Sequence, residues 1–229
     1  MGKRQESRER IEAAIIEIGR QHLVTEGAAG LSLRAIARDL GMVSSAVYRY
    51  VASRDELLTL LVVDAYTELA DAVDGAATQS DWRARIRAIA HATRDWAIDQ
   101  PARWALLYGS PVPGYHAPAE RTVGPGTRVV GALFAAVAAG IAAGDIATAK
   151  EAVAQPLSSD LERIRAEFAF TGDDAVVAKC FLVWAGLVGA VSLEVFGQYG
   201  ADTLTDPAQM FELQIGLLID TLACPVHQS

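Results

Sequence analysis

LSLRAIARDLGMVSSAVYRYVASRDELL, residues 31–58, decides how this chain is read. Ser32 is a good N-cap, because a hydroxyl there accepts one of the helix's unpaired backbone N–H groups. Leu33, Ile36, Ala37 and Leu40 follow at i, i+3, i+4 and i+7, one apolar face of a two-turn helix. Gly41 ends it. Within MVSSAVYRYV a third short helix begins two or three residues later. Val47 and Val51 share its inner face, leaving Ser44, Ser45, Tyr48 and Arg49 on other faces. Two short helices joined by a tight glycine turn form a helix-turn-helix.

Working outward, Ile11, Ile15, Ile18 and His22 stripe a first helix over about Ser7–Glu26, which Gly27 stops, leaving Ala28-Ala29-Gly30 as a loop. Ser53-Arg54-Asp55-Glu56 is a capping box that starts a long fourth helix, lined by Leu57, Leu61, Ala65, Leu69 and Ala72. A fifth helix runs from Asp81 to Trp96, and Pro101 opens a sixth at its N1 position. The run 110–125 holds Pro111, Pro113, Pro118 and Pro125 and reads as a loop. Further helices are expected over Val129–Gly144, from near Ser159, over Asp174–Gln198 and over Pro207–Leu222. The fold class is therefore all-α, an N-terminal three-helix helix-turn-helix domain plus a C-terminal helical bundle, about ten helices in total. The expected division is 1–53 for the small domain, 54–80 for the connecting helix and 81–229 for a larger domain that senses a ligand and dimerises.

Composition narrows the function. The chain has 229 residues, 52% hydrophobic and 21% charged, enough to bury a core and too apolar for a disordered linker. Two cysteines exclude a disulfide framework or a cysteine-rich zinc module. The formal charge of -8 argues against a general nucleic-acid coat, but it is unevenly spread. Residues 1–60 balance at +1 and the remainder at −9. No apolar leader opens the chain, and Val129–Gly144 and Cys180–Leu193 are short of the ~20 strongly apolar residues of a membrane span. A cytoplasmic protein with no membrane partner is expected.

Residues 15–58 resemble the DNA-binding domain of the TetR family of bacterial transcriptional regulators. Ile36-Ala37, the turn glycine Gly41, Tyr48-Arg49-Tyr50 and the basic Arg54 at the start of helix four carry the resemblance. Departures are Val51 for a usual phenylalanine, Gly19 for alanine, His22 for an apolar residue and Val43 for a frequent serine cap. Gly19 and Val51 suggest a looser small core, and Ser44 is expected to take over the cap. By residue chemistry, Ser44, Ser45 and Ala46 are small enough to bring helix three close to base edges, while its N-terminus suits a phosphate. Tyr48 and Arg49 can contact phosphate or base, and Ser32, Arg34 and Arg54 can position on phosphates. Lys3, Arg4, Arg8 and Arg10 could add contacts from a flexible arm. Tyr50 is assigned to the small core, and Arg38 beside Asp39 to a locally neutral pair.

VWAGLVG (183–189) with Ser192-Leu193-Glu194, and LLYGSPVPGY (106–115), resemble a C-terminal domain class of that family marked by a Trp-His-Gly signature. The resemblance implies a homodimer, with Leu161, Phe168, Val188, Val191 and Val195 at the interface; packing inside one subunit is the alternative reading. Tyr66, Trp96, Trp104, Leu107, Tyr108, Phe134 and Trp184 could line a pocket for an apolar or aromatic effector, with His91 and His116 as polar anchors, or could simply be core. No histidine pair has metal-ligand spacing and no catalytic constellation is legible, so neither a metal, another cofactor nor an enzymatic activity is expected. Cys180 sits in an apolar run and reads as inert. The expected partners are double-stranded operator DNA, a second copy of the chain and a small-molecule effector whose identity stays open. The function implied is a repressor released by its ligand. A regulator or activator without an effector, or a helical carrier, are the alternatives.

Overall fold

A computed structural model describes residues 3–148 and 153–223. Among the described residues every regular element is a helix: α1 (Lys3–Gly30), α2 (Leu33–Asp39), α3 (Ser44–Val47), α4 (Arg54–Ala76), α5 (Trp82–Asp99), α6 (Pro101–Tyr108), α7 (Ala119–Ala142), α8 (Leu157–Glu167), α9 (Asp174–Val195) and α10 (Pro207–Ala223). The chain separates into two compact units. One comprises the chain up to Glu68 together with Gln100–Gly126; the other comprises Leu69–Asp99 and the chain from Thr127. These limits differ from the expected ones, because α6 and the loop after it belong with the helix-turn-helix.

In the first unit Ile15, Leu23, Leu33, Ile36, Ala37, Val47, Val51, Leu57, Leu58 and Leu61 form one buried cluster. It is closed by partly buried Tyr50, Ala102, Leu106 and Tyr115. The helical period places each of these residues inward, and the glycines allow the reversals. Gly27 adopts φ 67°, ψ 173° and breaks α1 where the sequence stops it, and Gly41 adopts φ 66° in the turn. The expected looseness is absent. A Cβ on Gly19 would lie 3.2 Å from a Leu61 methyl, so that leucine has moved into the space, and Val51 is fully buried.

Ser53 caps α4, its Oγ accepting from the Glu56 N–H at 3.1 Å. The reciprocal half of the box is missing, since the Glu56 carboxylate instead takes Arg121 at 2.7 Å. Asp81 caps α5 by accepting from the Ala84 N–H at 2.8 Å. The proline-rich loop is shorter than expected. Helix α7 starts at Ala119 and carries Pro125 inside it. Pro125 is the seventh residue of α7, past the four N–H groups that lack an intrahelical partner, so the helix gives up the one bond that residue would donate to the Arg121 carbonyl.

The second unit is built around Leu133, Phe134, Val137, Val176, Val177, Cys180, Val183, Leu187, Phe211, Ile215 and Ile219, all buried. Asp174 ties its α8–α9 corner, accepting from the Val153 N–H and the Ser158 hydroxyl at 3.1 Å each and from Arg165. Helices α7 and α9 are long and apolar enough to cross a membrane by length and composition, and buried residues make up 33% and 39% of their most apolar stretches.

Candidate functional site

The α2–turn–α3 segment is held from beneath and presented from above. Ser32 caps α2, accepting from the Ala35 N–H at 3.5 Å. Leu33, Ile36 and Ala37 face inward, and Arg34 and Arg38 outward. Helix α3 is a single turn that ends at Val47, shorter than the run 42–51 implied, so Tyr48 and Arg49 lie in the turn just past it; Val47 and, beyond that turn, Val51 anchor the segment, both fully buried. That anchoring leaves Ser45, Tyr48 and Arg49 exposed and Ser44 and Ala46 half-buried, a small-residue ridge flanked by a phenol and a guanidinium. Tyr50 packs against the core, with the Arg8 guanidinium 6.0 Å from its ring centroid.

Four expectations change here. Ser44 does not cap α3: the cap position is Val43, without a side-chain bond, and the turn closes through its carbonyl accepting from the Ala46 N–H at 2.8 Å. Arg54 is committed inside the unit, donating to the Ala28 and Ala29 carbonyls at 2.9 and 3.1 Å. It ties the end of α1 to the start of α4. Arg8 and Arg10 lie on α1 rather than on a flexible arm, and Arg8 bonds Glu12 at 2.7 Å; the side chains of Lys3 and Arg4 lie outside the described residues. His22 meets Asp39 at 2.6 Å, linking α1 to α2; that bond, more than Arg38 at 3.6 Å, holds the Asp39 carboxyl below its ordinary range.

Behind this surface an ion-pair network joins three helices. Arg103 of α6, 4% exposed, donates to Glu68 at 2.6 Å and to Asp64 at 2.9 Å, both on α4. The other Asp64 oxygen takes Arg20 of α1 at 2.6 Å. No local pattern announces it, since the partners stand 35 to 44 positions apart. The same α6 carries expected effector residues. Trp104 is fully buried and lies 4.4 Å from the Tyr108 ring, which meets Tyr66 edge-on at 6.3 Å; Leu107 is half-buried beside them. Burial pushes the Tyr108 and Tyr66 phenols up, so both are neutral at physiological pH. Tyr115 adds a hydroxyl contact to Thr59 at 3.1 Å, a member that its place in a proline-rich loop concealed.

The remaining effector candidates, Trp96, Phe134 and Trp184, belong to the other unit. Phe134 stacks on Phe168 at 4.8 Å and meets Phe170 edge-on at 4.9 Å, a ring cluster of its own; Trp96 is buried and Trp184 half-buried. His91 is held by Glu212 at 2.8 Å, and His116 is exposed. Burial pushes the Cys180 thiol up to about 12.

The expected interface residues also divide. Leu161 and Val191 are buried within the subunit, so both are corrected to internal packing, and Phe168 is taken up by Phe134. Val188 and Val195 are half-buried. The exposed apolar face lies instead on α9 and α10, with Leu182 at 53%, Leu213 at 60% and Leu217 at 59% exposed. An open groove of about 410 Å³ runs there, floored by Gly186, Gly189 and Ala190 and walled by Leu193, Leu217 and Leu218. Small residues stand beside leucines along it, with Leu218 of α10 close over Gly186.

Comparison with known proteins bears on both units. A tetracyclin repressor-like C-terminal domain family matches residues 86–218. An HTH-type transcriptional regulator from Mycobacterium tuberculosis is 66% identical over 226 residues, 97% of each chain. A regulatory protein known from its crystal structure is 32% identical, covers 96% of this chain and 100% of its own, and superposes with a TM-score of 0.77. A TetR family transcription regulator from Marinobacter aquaeolei shares the fold at 18% identity and a TM-score of 0.62, covering 98% of this chain and 100% of its own.

Proposed function

This chain belongs to the TetR family of DNA-binding transcriptional regulators, and from that premise we propose that it acts as a homodimeric repressor which an apolar aromatic ligand releases from its operator. The observation that carries the reading is the division of α3 and the turn that follows it: Val47 and Val51 are fully buried while Ser45, Tyr48 and Arg49 stand in solvent. Pinned by one valine at the end of the helix and one just past it, this segment is held as a fixed probe. Its small residues admit it to the major groove, where Arg49 can reach a guanine edge or a phosphate and the Tyr48 hydroxyl a phosphate. Arg34 at the head of α2 supplies a further phosphate contact. A charge balance of only +1 in residues 1–60 implies modest affinity per subunit, so two subunits on a two-fold symmetric operator are needed. The α9–α10 face, with Val188 and Val195 at its margin, is the surface we assign to the mate.

Release needs a path from ligand to probe, and α6 supports one. It carries Trp104 and Tyr108 of the ring cluster and, immediately before Trp104, Arg103, which grips α4. Asp64 passes that grip to α1, and Arg54 fastens α4 to the end of α1. A ligand that wedges among Tyr66, Trp104, Leu107 and Tyr108 would shift α6 and, through two guanidiniums, the helices that hold α3. The effector acts only by its differential affinity for the DNA-competent and incompetent arrangements. The protein binds and releases without a chemical step, in the cytoplasm where chromosomal DNA is accessible.

A mobility-shift titration on the DNA upstream of its own gene tests the reading. The intact protein forms a specific complex, Tyr48→Ala loses it while remaining dimeric, and planar apolar aromatics raise the melting temperature and dissolve the complex. Unchanged affinity in Tyr48→Ala contradicts the assignment of α3 as probe.

A further inference from the structure

The cap of α3 carries an anomaly that the DNA-binding reading, on which this inference rests, explains. Position 43 begins a helix, where a side-chain oxygen ordinarily satisfies a free backbone N–H. Val43 has the extended backbone of a cap residue (φ −68°, ψ 140°) but no group to make that bond. Its isopropyl group is also 71% exposed, directly before Ser44, Ser45 and Ala46. An apolar side chain there gives up a cap and keeps hydrocarbon in water.

Both are accounted for in a complex with DNA. A valine can neither donate nor accept a hydrogen bond, so it reads none of the N7, O6, N6, N4 or O4 positions of the major groove. The one apolar group on those edges in unmodified DNA is the C5-methyl of thymine. The neighbouring side chains are short, so the start of α3 approaches the bases closely enough for a three-carbon side chain to reach that methyl. We propose that Val43 is a specificity-determining residue that selects thymine at one position of each half-site by packing its isopropyl group against the C5-methyl.

Deoxyuridine tests this cleanly, because it lacks only the methyl and keeps thymine's pairing and O4. The operator is recovered by selecting a randomised duplex library on the full-length protein, and each half-site thymine is then replaced in turn. For the wild-type protein, affinity falls about fourfold at one thymine and about fifteenfold when its symmetry mate is also replaced, the loss expected for uncovering one methyl per site. Val43→Ser keeps its preference for the operator over scrambled duplex and binds the thymine and uracil versions equally. Its fold is not at risk, since the position is exposed and serine is a better cap. Overturning results are a wild-type protein indifferent to uracil at every thymine, half-sites that contain no thymine, or a Val43→Ser variant that keeps the full uracil penalty. Failure of the underlying reading looks different: the wild-type protein then selects no sequence at all.

Discussion

Replacing Arg103 by methionine removes the charge at the centre of the α1–α4–α6 network and keeps most of the side chain's volume. The Arg103 side chain is 4% exposed, and its partners Asp64 and Glu68 are 20% and 40% exposed. Removing one member of a fully buried pair costs about 3–5 kcal/mol because the other charge is stranded, whereas an exposed pair contributes about 0–1. The geometry lies between these limits. The carboxylates keep some water, and Asp64 retains Arg20 at 2.6 Å. A loss of about 2 kcal/mol follows, or a melting temperature lower by about 4–8 °C for a chain of this size. Urea denaturation followed by tryptophan fluorescence and circular dichroism measures it, with a lower midpoint and an unchanged slope. Arg20→Met must not be additive with Arg103→Met, since both guanidiniums share Asp64; a coupling of at least about 0.5 kcal/mol is expected from the double-mutant cycle. A loss below about 0.5 kcal/mol, the size of a screened surface pair, together with additive behaviour, refutes the network as a mechanical link.

On the α9–α10 face, Leu217→Glu places a charge where the mate is assigned, so light scattering should find monomer with an undiminished helical spectrum; a dimer of unchanged mass removes that face from the interface. Acid sensitivity follows from three aspartates. Asp174 is held below its ordinary value of 3.8 mainly by Arg165, Asp145 by Trp82 and Arg83, and Asp39 by His22. A depressed folded-state value gives stability that is complete above the ordinary carboxylate range and lost as pH falls through the folded value. The melting temperature is therefore flat from pH 7 to about 5 and falls steeply below about 4. Asp145→Asn makes that fall shallower, and an identical profile counts against the assignment. Cys180, buried with its thiol pushed up to about 12, should react with a disulfide reagent only as the protein unfolds, measured in a Cys224→Ser background; rapid native-state labelling would contradict its burial.

Local signals were legible in the sequence, and contacts between distant positions were not. Ser32, Ser53 and Asp81 cap helices as their positions imply, and Gly27 and Gly41 turn the chain at positive φ. The Val47–Val51 spacing located the inner face of α3 and of the turn after it, because four residues make nearly one turn and the Val51 N–H still bonds the Val47 carbonyl at 3.1 Å. The bonds of Arg54 to the Ala28 and Ala29 carbonyls were not legible, since nothing in its neighbourhood announces them. Pro125 reads as a helix breaker, yet α7 runs through it at the cost of one bond; the start of that helix is set by Pro118 accepting from the Arg121 and Thr122 N–H groups at 3.1 Å each. Leu161 and Val191 failed as interface residues for a similar reason. Hydrophobicity marks a face for burial without saying whether the same chain or another covers it. The exposed leucines at 182, 213 and 217 carry that information only once the helices have packed.

The central claim is that α3 reads base edges as one of a pair of identical probes. Selection of bound duplex from a randomised library at low and physiological salt tests it most directly. Enrichment of two inverted half-sites at a fixed separation is expected, lost in Tyr48→Ala and weakened by salt. Recovery of sequences no different from the starting pool, or of a single half-site without a symmetry mate, would contradict it.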